Sequence, residues 1–410
     1  MVNVRPFRAL RPKPSIAAQI AAVPYDVVNA EEARSLADGN PVSFLRVSRA
    51  EIELPAGTDP HSDAVYEKAR ANFDALKSSS LLLESEPLLY VYRLKSGDVE
   101  QTGVAGAFSV DDYNSDVIRK HERTRRDKED DRTRHIITLR AQTGPVFLTY
   151  KASPRIDELV ARITAAPPLY DFEAADGVRH TIWTASGDDR DELKRAIAEV
   201  PTMYIADGHH RAASAARAWA HLKDRGATAS PNGSQAGAES FLAVAFPHDQ
   251  VQVLAYNRVV RDLNGLSPAQ FLDAVRKGFH IERGAPVPSR RGDVAMYLQG
   301  EWRTLHPLVA PDASDAVRSL DVSVLQDRLL APILGILDVR TDKRIDFVGG
   351  GRGAGELERL VDSGAFAAAF SLFPVRVSEL MAVSDQGEIM PPKSTWFEPK
   401  LRDGLLVHVI

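Results

Sequence analysis

The chain of 410 residues is 44% hydrophobic and 26% charged, a composition typical of globular proteins and not of disordered or fibrous ones. Its 51 basic and 56 acidic residues give a net charge of -5, so no overall positive charge directs it to nucleic acid or to an anionic membrane. The chain contains no cysteine, which excludes disulfides, thiolate metal ligands and cysteine nucleophiles.

The sequence contains no segment that is expected to enter a membrane. Residues 1–6 lack the apolar core of a signal peptide, and the most apolar run, 365–373, is too short to cross a bilayer. We therefore expect a cytoplasmic protein with no membrane partner.

Short alternating elements are predicted at the start of the chain. Asn29 is a suitable N-cap for a helix over 31–38, and the spacing of apolar residues in 63–76 predicts a second helix. Three strands are predicted, at 44–47, 88–94 and 104–110, the last two as a hairpin.

Residues 118–135 form the most charged part of the chain. By charge pattern alone, such a run is typical of a solvated helix or loop. A nucleic-acid-binding arm is not expected, because acidic residues dilute the positive field and no aromatic side chain is interleaved for base stacking.

Beyond this run, strands and helices alternate, which predicts an α/β fold with a mixed sheet. A loop rich in small residues is predicted at 226–240, and a soft boundary near Leu263 divides the chain into 1–262 and 263–410. The predicted strands are 146–150, 181–184, 241–246 paired with 251–260, 294–298 and 302–305, and the predicted helices are 155–163, 189–198, 268–277 and 323–334.

A glycine-rich stretch at 349–355 follows a predicted strand and imitates a dinucleotide-binding loop. It lacks the Gly-Lys-Ser/Thr ending of a P-loop and matches the Rossmann spacing only loosely. We therefore expect a flexible connector here, and neither a Rossmann nor a P-loop fold.

The best candidate for an active centre is the stretch Met203–Ala213. Four apolar residues suited to a buried strand are followed by Asp207-Gly208-His209-His210-Arg211, and the alanine-rich segment 212–222 predicts a helix. At such a corner the first N–H groups of the helix and its dipole favour an anion, and phosphate is the natural ligand.

The side chains of this box support the same expectation. Arg211 could hold a phosphate with two parallel hydrogen bonds, while His209 and His210 could donate or titrate near neutrality. Asp207 could cap the helix, act as a base or bind magnesium.

A second polar motif, Met390–Lys400, is fixed by prolines and is both basic and aromatic. Its rigid loop would leave Lys393, Ser394 and Thr395 able to donate to an anion, while the aromatic residues pack beneath it or stack on a base.

The box resembles the phosphate-binding box of the ParB/sulfiredoxin-like superfamily, which includes ParB-type nucleotide-binding proteins, sulfiredoxins and free-serine kinases. The whole chain resembles the bacterial and archaeal family catalogued as domain of unknown function 1015. The resemblance implies a ParB/sulfiredoxin-like core with large elaborations. It is carried by Val4–Phe7, Pro24–Val28, Ser43–Val47, His121–Thr124, Lys128, Asp131–Arg132, the box and Met390–Lys400.

The resemblance also implies that these motifs converge on one site, with Lys128, Arg132 and Lys393 within a ligand's length of the box. Lys128 and Arg132 would neutralise a polyphosphate, and Glu122 or His121 would take a proton from an attacking hydroxyl. The implied catalytic residues are Asp207, Glu122 and His121; the phosphate-binding residues are Gly208, His209, His210, Arg211, Lys128, Arg132, Lys393, Ser394 and Thr395; the substrate candidates are Arg5, Tyr25, Asp26 and Arg46.

These residues favour a nucleotide-dependent phosphotransferase that uses ATP or ADP with Mg²⁺, because phosphoryl transfer needs positioning, charge neutralisation and a base. The resemblance favours free L-serine as the acceptor. Two alternatives stay open: a phosphatase of phosphoserine or a related metabolite, and a non-enzymatic nucleotide-binding regulator of ParB type. No helix-turn-helix signature supports DNA binding.

Overall fold

Two compact units divide the chain in the computed structural model, which describes residues 1–226 and 237–410. Unit 1 comprises Met1–Lys120, Thr124–Val251 and Pro399–Ile410, and unit 2 comprises His121–Arg123 and Gln252–Glu398. The division differs from the predicted one, because Leu263 lies inside unit 2 and the C-terminal segment belongs to unit 1. Residues 227–236 of the predicted loop lie outside the described part of the chain.

The strands are numbered in chain order. Those of unit 1 are β1 (Val4–Arg5), β2 (Leu10–Pro12), β3 (Leu81–Leu83), β4 (Leu89–Ser96), β5 (Val99–Ser109), β6 (Ile118–Arg119), β7 (Ala141–Gln142), β8 (Val146–Tyr150), β9 (Tyr170–Glu173), β10 (Arg179–Ala185), β11 (Met203–Asp207) and β12 (Ser240–Pro247). Those of unit 2 are β13 (Gln252–Leu254), β14 (Tyr256–Val260), β15 (Phe279–Arg283), β16 (Val294–Leu298), β17 (Glu301–Pro307), β18 (Ile345–Gly349), β19 (Ala368–Leu372) and β20 (Trp396–Glu398), and β21 (His408–Val409) returns to unit 1.

The helices follow the same scheme. Unit 1 contains α1 (Ala17–Ile20), α2 (Ala30–Ala37), α3 (Leu45–Ser48), α4 (Asp63–Ser79), α5 (Val110–Asn114), α6 (Arg126–Leu139), α7 (Pro154–Thr164), α8 (Gly187–Ala198) and α9 (His209–Asp224). Unit 2 contains α10 (Pro268–Val275), α11 (Asp321–Leu325), α12 (Gly353–Asp362) and α13 (Val377–Asp385).

Unit 1 is built around a nine-stranded mixed sheet. Its strand order is β6-β11-β8-β12-β5-β4-β10-β9, and β1 pairs with β5. The β6/β11 and β8/β12 pairs are parallel, whereas the other pairs are antiparallel. This arrangement confirms the predicted α/β class with a mixed sheet. It places the end of β11, where the box begins, beside β8.

Local sequence signals account for several elements of unit 1. The Asn29 side chain accepts from the N–H groups of Glu31 and Glu32 at 2.9 Å, and Glu32 returns a bond to the Asn29 N–H, so α2 begins with a capping box. Helix α4 buries the apolar face that its spacing predicts. The predicted hairpin is formed by β4 and β5.

Three predicted elements are wrong or incomplete. Residues 44–47 lie at the start of α3 and not in a strand, because a short apolar run does not distinguish the two. The strands predicted at 241–246 and 251–260 do not pair: β12 lies between β8 and β5, whereas β14 belongs to unit 2. The helix predicted over 323–334 is α-helical only in α11 and continues as a π-helical turn over Gln326–Leu330.

Unit 2 contains a six-stranded antiparallel sheet of order β15-β17-β16-β19-β14-β18. The glycine-rich stretch ends β18 and begins α12. A Cβ atom on Gly349 would lie 2.7 Å from the Trp396 ring, and one on Gly350 would lie 2.6 Å from the Ala255 carbonyl oxygen. The glycines therefore permit close packing inside unit 2, and the predicted connector comprises the end of β18, a 3₁₀ turn over Gly350–Arg352 and the start of α12.

Among residues 1–226 and 237–410, no helix has both the length and the apolar character that crossing a membrane requires.

Candidate active site

The Asp-Gly-His-His-Arg box lies at the corner between β11 and α9, as predicted. Gly208 has φ of 91°, a left-handed conformation that glycine adopts without strain. A Cβ atom at this position would lie 3.2 Å from the guanidinium carbon of Arg211. The N-cap residue of α9 is Gly208, which has no side chain with which to cap the helix.

Two cations flank the Asp207 carboxylate. Arg211 Nη2 lies 3.3 Å from Asp207 Oδ2, and Lys400 Nζ lies 3.5 Å from the same oxygen. The Lys400 side chain is only 11% exposed, which lowers the screening of its charge by water. Lys400 belongs to a recognised motif but was not among the predicted site residues, and its separation of 193 positions from Asp207 hides the contact from local sequence patterns.

Arg211 is committed to acceptors within the protein. Its Nη1 donates to the Pro145 carbonyl, and its Nη2 lies 3.7 Å from Asp26 Oδ2 in addition to its contact with Asp207. Burial lowers the pKa of Arg211, but the carboxylates of Asp26, Asp207 and Asp403 outweigh burial and raise it. The guanidinium therefore holds Asp207 and Asp26 near each other, and its two-bond grip on a phosphate stays a prediction.

A small cavity of about 30 Å³ adjoins Arg211 in unit 1, room for one or two water molecules. Asp403 lines it, is 2% exposed, and packs so tightly on Gly144 that a Cβ there would lie 2.5 Å from Asp403 Oδ1. Burial raises the pKa of Asp403 to about 7, although the positive charge of Arg211 opposes this. Tyr25 lines the same cavity, and burial followed by the charge of Asp26 raises the pKa of its phenol.

Arg132 links this cavity to a larger one of about 120 Å³, since it lines both. Its Nε donates to Asp131 Oδ2 at 2.7 Å, and its guanidinium stacks on the Tyr25 ring at 4.2 Å. Burial raises the pKa of Asp131, but the charge of Arg132 and hydrogen bonds from Arg132 and Tyr66 lower it to about 2. Lys128 lines the larger cavity, so two of the predicted cations lie near Tyr25.

The two histidines of the box differ in their surroundings. His209 is 6% exposed at the start of α9. His210 Nε2 accepts from the backbone N–H of Arg125 at 3.0 Å, which requires a neutral imidazole with its proton on Nδ1. His210 therefore joins the start of α6 to the box.

The remaining catalytic candidates and the C-terminal loop belong to unit 2. His121 is 1% exposed, its carbonyl accepts from the Met390 N–H at 2.8 Å, and its Nε2 lies 3.4 Å from Thr395 Oγ1. The Ser394 hydroxyl donates to the Pro391 carbonyl at 2.6 Å and so closes the turn. Unit 2 thus brings His121, with its neighbour Glu122, next to the predicted anion-binding loop.

Lys393 has a backbone φ of 58°, which is unusual for a residue with a side chain. Its carbonyl accepts from Arg258 Nη2 at 3.1 Å, and its Nζ lies 5.3 Å from the centre of the Tyr256 ring. Arg258 is 1% exposed, and burial lowers its pKa to about 9. The sequence did not single out Arg258, because a charged residue inside a β-strand gives no sign of its burial.

Two of the substrate candidates have structural partners elsewhere in unit 1. Arg5 pairs with Glu239. Arg46 pairs with Glu53 and donates to the Asn40 and Ala37 carbonyls at 2.9 Å. The contacts of Arg46 join α2 to α3, whereas Tyr25 and Asp26 lie beside the box as predicted.

The fold and the site define an α/β protein with a carboxylate flanked by cations at a strand-to-helix corner. The model of the family described as "Protein of unknown function (DUF1015)" matches residues 4–323, so the chain belongs to that family. No curated protein matches the sequence closely enough to be called related.

Several solved structures resemble the chain weakly. A conserved hypothetical protein from Pyrococcus furiosus shares 13% identity at a TM-score of 0.37, covering 75% of this chain and 95% of that one. A free serine kinase in complex with AMP shares 14% identity at a TM-score of 0.36, covering 73% and 91%. SbnI with a C-terminal truncation from Staphylococcus aureus shares 13% identity at a TM-score of 0.38, covering 74% and 87%.

Proposed function

We propose that the protein is a nucleotide-dependent phosphotransferase that acts on a small hydroxyl metabolite, with free L-serine as the first acceptor to test. One observation carries the proposal: the Asp207 carboxylate lies between Lys400 and Arg211 in front of a helix whose N-cap residue is glycine. A helix N-terminus with a nearby lysine binds phosphate, and a carboxylate beside phosphate is a ligand of Mg²⁺.

The residues of the box fit a magnesium nucleotide. Asp207 and Asp26 would hold Mg²⁺, because both lie near Arg211 Nη2 and carboxylate oxygens are the ligands that this ion prefers. The missing Cβ of Gly208 leaves room for the Arg211 guanidinium, which a Cβ would meet at 3.2 Å, and the N–H groups at the start of α9 suit phosphate oxygens. Bound there, Mg²⁺ would supply charge neutralisation for the transferred phosphoryl group.

The side chains then divide into three tasks. Lys400 would bind a phosphate oxygen as a point charge, and Arg211 would orient the two carboxylates without touching the nucleotide. A carboxylate of unit 1 that is not needed for the metal would accept the proton of the attacking hydroxyl, and Asp207 is the proposed candidate for that role. None of these tasks needs a cysteine, which agrees with the composition.

Calorimetric titration with Mg-ADP and Mg-ATP tests the nucleotide site. Lys400→Gln should weaken binding about 10- to 100-fold, because a charged hydrogen bond contributes roughly 1.5–3 kcal/mol. The matched control is Lys120→Gln: Lys120 also pairs with an aspartate, Asp116 at 2.8 Å, on a different part of unit 1. Equal affinities for the two variants would place the nucleotide elsewhere.

A thermal-shift panel separates the enzyme from its alternatives. ATP, ADP, CTP, serine and phosphoserine are each added with and without Mg²⁺, since a ligand that binds only the folded state raises Tm. Stabilisation by ATP or ADP that depends on Mg²⁺ supports the phosphotransferase. Stabilisation by phosphoserine alone supports the phosphatase, and stabilisation by CTP alone supports the regulator.

A further inference from the structure

The cavity of about 120 Å³ that Lys128 lines, which we call the Lys128 cavity, has no part in the nucleotide site proposed above. It is lined, among others, by Tyr25, Lys128, Asp131, Arg132 and His135. This volume is well below the several hundred Å³ of pockets for drug-sized ligands, so it suits a metabolite of only a few heavy atoms. Tyr25, Arg132 and His135 also line the small cavity next to Arg211, which gives the two cavities a common wall.

Two of the three cations on the cavity wall have a carboxylate partner on that wall, whereas the charge of Lys128 acts on Asp127, an exposed residue outside the wall. Arg49 pairs with Glu51 at 2.6 Å, and Arg132 pairs with Asp131 at 2.7 Å. Within the described ranges 1–226 and 237–410, no carboxylate forms an ion pair with Lys128, which is half-buried on α6. Three cations and two carboxylates therefore give the wall a net charge of one positive unit.

The net charge selects among anions. A phosphate or phosphate monoester carries close to two negative charges at neutral pH and would leave an excess negative charge beside Asp131 and Glu51. A single carboxylate matches the charge of Lys128 and leaves the cavity neutral. The wall therefore favours a small monocarboxylate over a phosphate.

Two uncharged groups on the wall suit a hydroxyl on the same ligand. His135 Nε2 donates to the Val47 carbonyl at 3.1 Å, so the acceptor of this ring is Nδ1. Burial, and then the charge of Arg132, lower the pKa of His135 to about 3, which keeps the ring neutral. Tyr25 carries a phenol that stays protonated because its pKa is raised.

We propose that the Lys128 cavity binds the phosphoryl acceptor, that the acceptor is a small hydroxylated monocarboxylate, and that Lys128 binds its carboxylate. The role of this ligand as phosphoryl acceptor rests on the proposed phosphotransferase, whereas the binding of a carboxylate in the cavity does not. The proposal removes Lys128 from the predicted phosphate-binding set and gives it to the second substrate.

Calorimetric titration of the full chain with glycolate, D-glycerate and L-serine, in the absence of nucleotide, tests the site. Glycerol is the uncharged probe, and inorganic phosphate, at a pH well above its second pKa, is the dianionic one. The carboxylates should bind the parent, glycerol should bind at least ten-fold more weakly, and phosphate should not compete with them. Lys128→Gln should weaken carboxylate binding about 10- to 100-fold, as expected for a lost charged hydrogen bond.

Two further variants make the result specific. Arg126→Gln removes the same charge from the same helix at an exposed position outside the cavity and should bind carboxylates like the parent. Lys128→Arg keeps the charge and should recover most of the affinity. The proposal is overturned if Lys128→Gln and Arg126→Gln behave alike, if glycerol binds as tightly as glycerate, or if phosphate displaces the carboxylates.

The same variants distinguish this proposal from the phosphotransferase. Mg-ADP affinity should be unchanged in Lys128→Gln and reduced in Lys400→Gln, while carboxylate affinity should show the opposite pattern. Carboxylate binding without any phosphate transfer would contradict the proposed phosphotransferase and support the carboxylate site. Phosphate transfer to a hydroxyl compound at a rate that does not depend on Lys128 would contradict the acceptor site and support the phosphotransferase.

Discussion

Arg211 Nη2 donates to Asp207 Oδ2 at 3.3 Å, and Arg211 follows Asp207 by four residues. The same nitrogen lies 3.7 Å from Asp26 Oδ2. The guanidinium is 9% exposed and is anchored on its other side by the Pro145 carbonyl. Arg211 is therefore a positioning residue that keeps two carboxylates close together despite their mutual repulsion. Ligand contact at the box is left to the backbone of α9 and to Lys400.

Replacing Arg211 should harm both folding and turnover. Arg211→Ala leaves Asp207 and Asp26 near each other without the shared cation, but their side chains are 30% and 36% exposed, so water offsets part of the roughly 3–5 kcal/mol that breaking a fully buried ion pair costs. Arg211→Lys keeps the positive charge, but a single ammonium group cannot contact the Pro145 carbonyl and both carboxylates at once, as the planar guanidinium does. We expect Tm to fall strongly for the alanine variant and less for the lysine variant, with kcat reduced in both. Normal kcat in Arg211→Lys would show that the fork geometry is not needed.

Gly208→Ala should disturb the box beyond the strain of its backbone. An alanine with φ near 91° is strained by roughly 1–2 kcal/mol, and its Cβ would also press on Arg211. Gly187→Ala is the matched control, because Gly187 starts α8 with φ of 52° and a Cβ there would meet nothing within 4 Å. Both variants should lose stability in urea unfolding, but only Gly208→Ala should lose nucleotide affinity. Equal affinities would show that the nucleotide site does not depend on the position of the Arg211 guanidinium.

Asp403 should make a contribution to the free energy of unfolding that declines as pH rises. Burial raises its pKa from 3.8 to about 7, so between these values the folded state keeps a proton that the unfolded state releases. Its contribution is fully present below pH 3.8, declines as pH rises, and is lost above about 7. The side chain of Asp403→Asn does not titrate, so the variant does not lose this contribution as pH rises. The free energy of unfolding of the variant minus that of the parent should therefore increase between pH 4 and 7, by at most about 4 kcal/mol.

The matched control for this titration is Asp98→Asn in the exposed β4–β5 turn. The difference between parent and Asp98→Asn should stay level across the same pH range. His135 is also buried, and because its pKa is lowered to about 3, its contribution to stability rises with pH. This contribution is the same in the parent and in Asp403→Asn, so the difference between the two isolates the Asp403 carboxyl group. A level difference for Asp403→Asn would show that Asp403 is ionised in the folded protein throughout.

Local patterns predicted the parts of the molecule that local physics determines. The apolar run before Asp207, the Gly208 turn and the alanine-rich segment are sufficient for a strand, a corner and a helix, and Asn29 was recognisable as a cap. The presence of Tyr25 and Asp26 beside the box was implied only by the family resemblance and not by a local pattern.

Contacts between distant segments were not predictable in the same way. Lys400 and Asp403 reach the neighbourhood of Asp207 and Arg211 only because Pro399–Ile410 returns to unit 1, and no periodicity signals that return. Phe44–Val47 was misassigned because four apolar-rich residues fit a helix turn as well as a strand. The pairing of Arg132 with Asp131 likewise depends on burial, which the charge pattern of α6 does not show.

Phosphorus-31 NMR of the parent with Mg²⁺, ADP or ATP, and either L-serine or D-glycerate tests the proposed chemistry most directly. We expect the appearance of a new phosphomonoester signal, and Asp207→Asn should reduce its rate at least about 100-fold while the variant stays folded, because the box carboxylate acts as metal ligand or base. A parent protein that forms no phosphomonoester with any donor and acceptor, or an Asp207→Asn variant as fast as the parent, would contradict a phosphotransferase centred on Asp207.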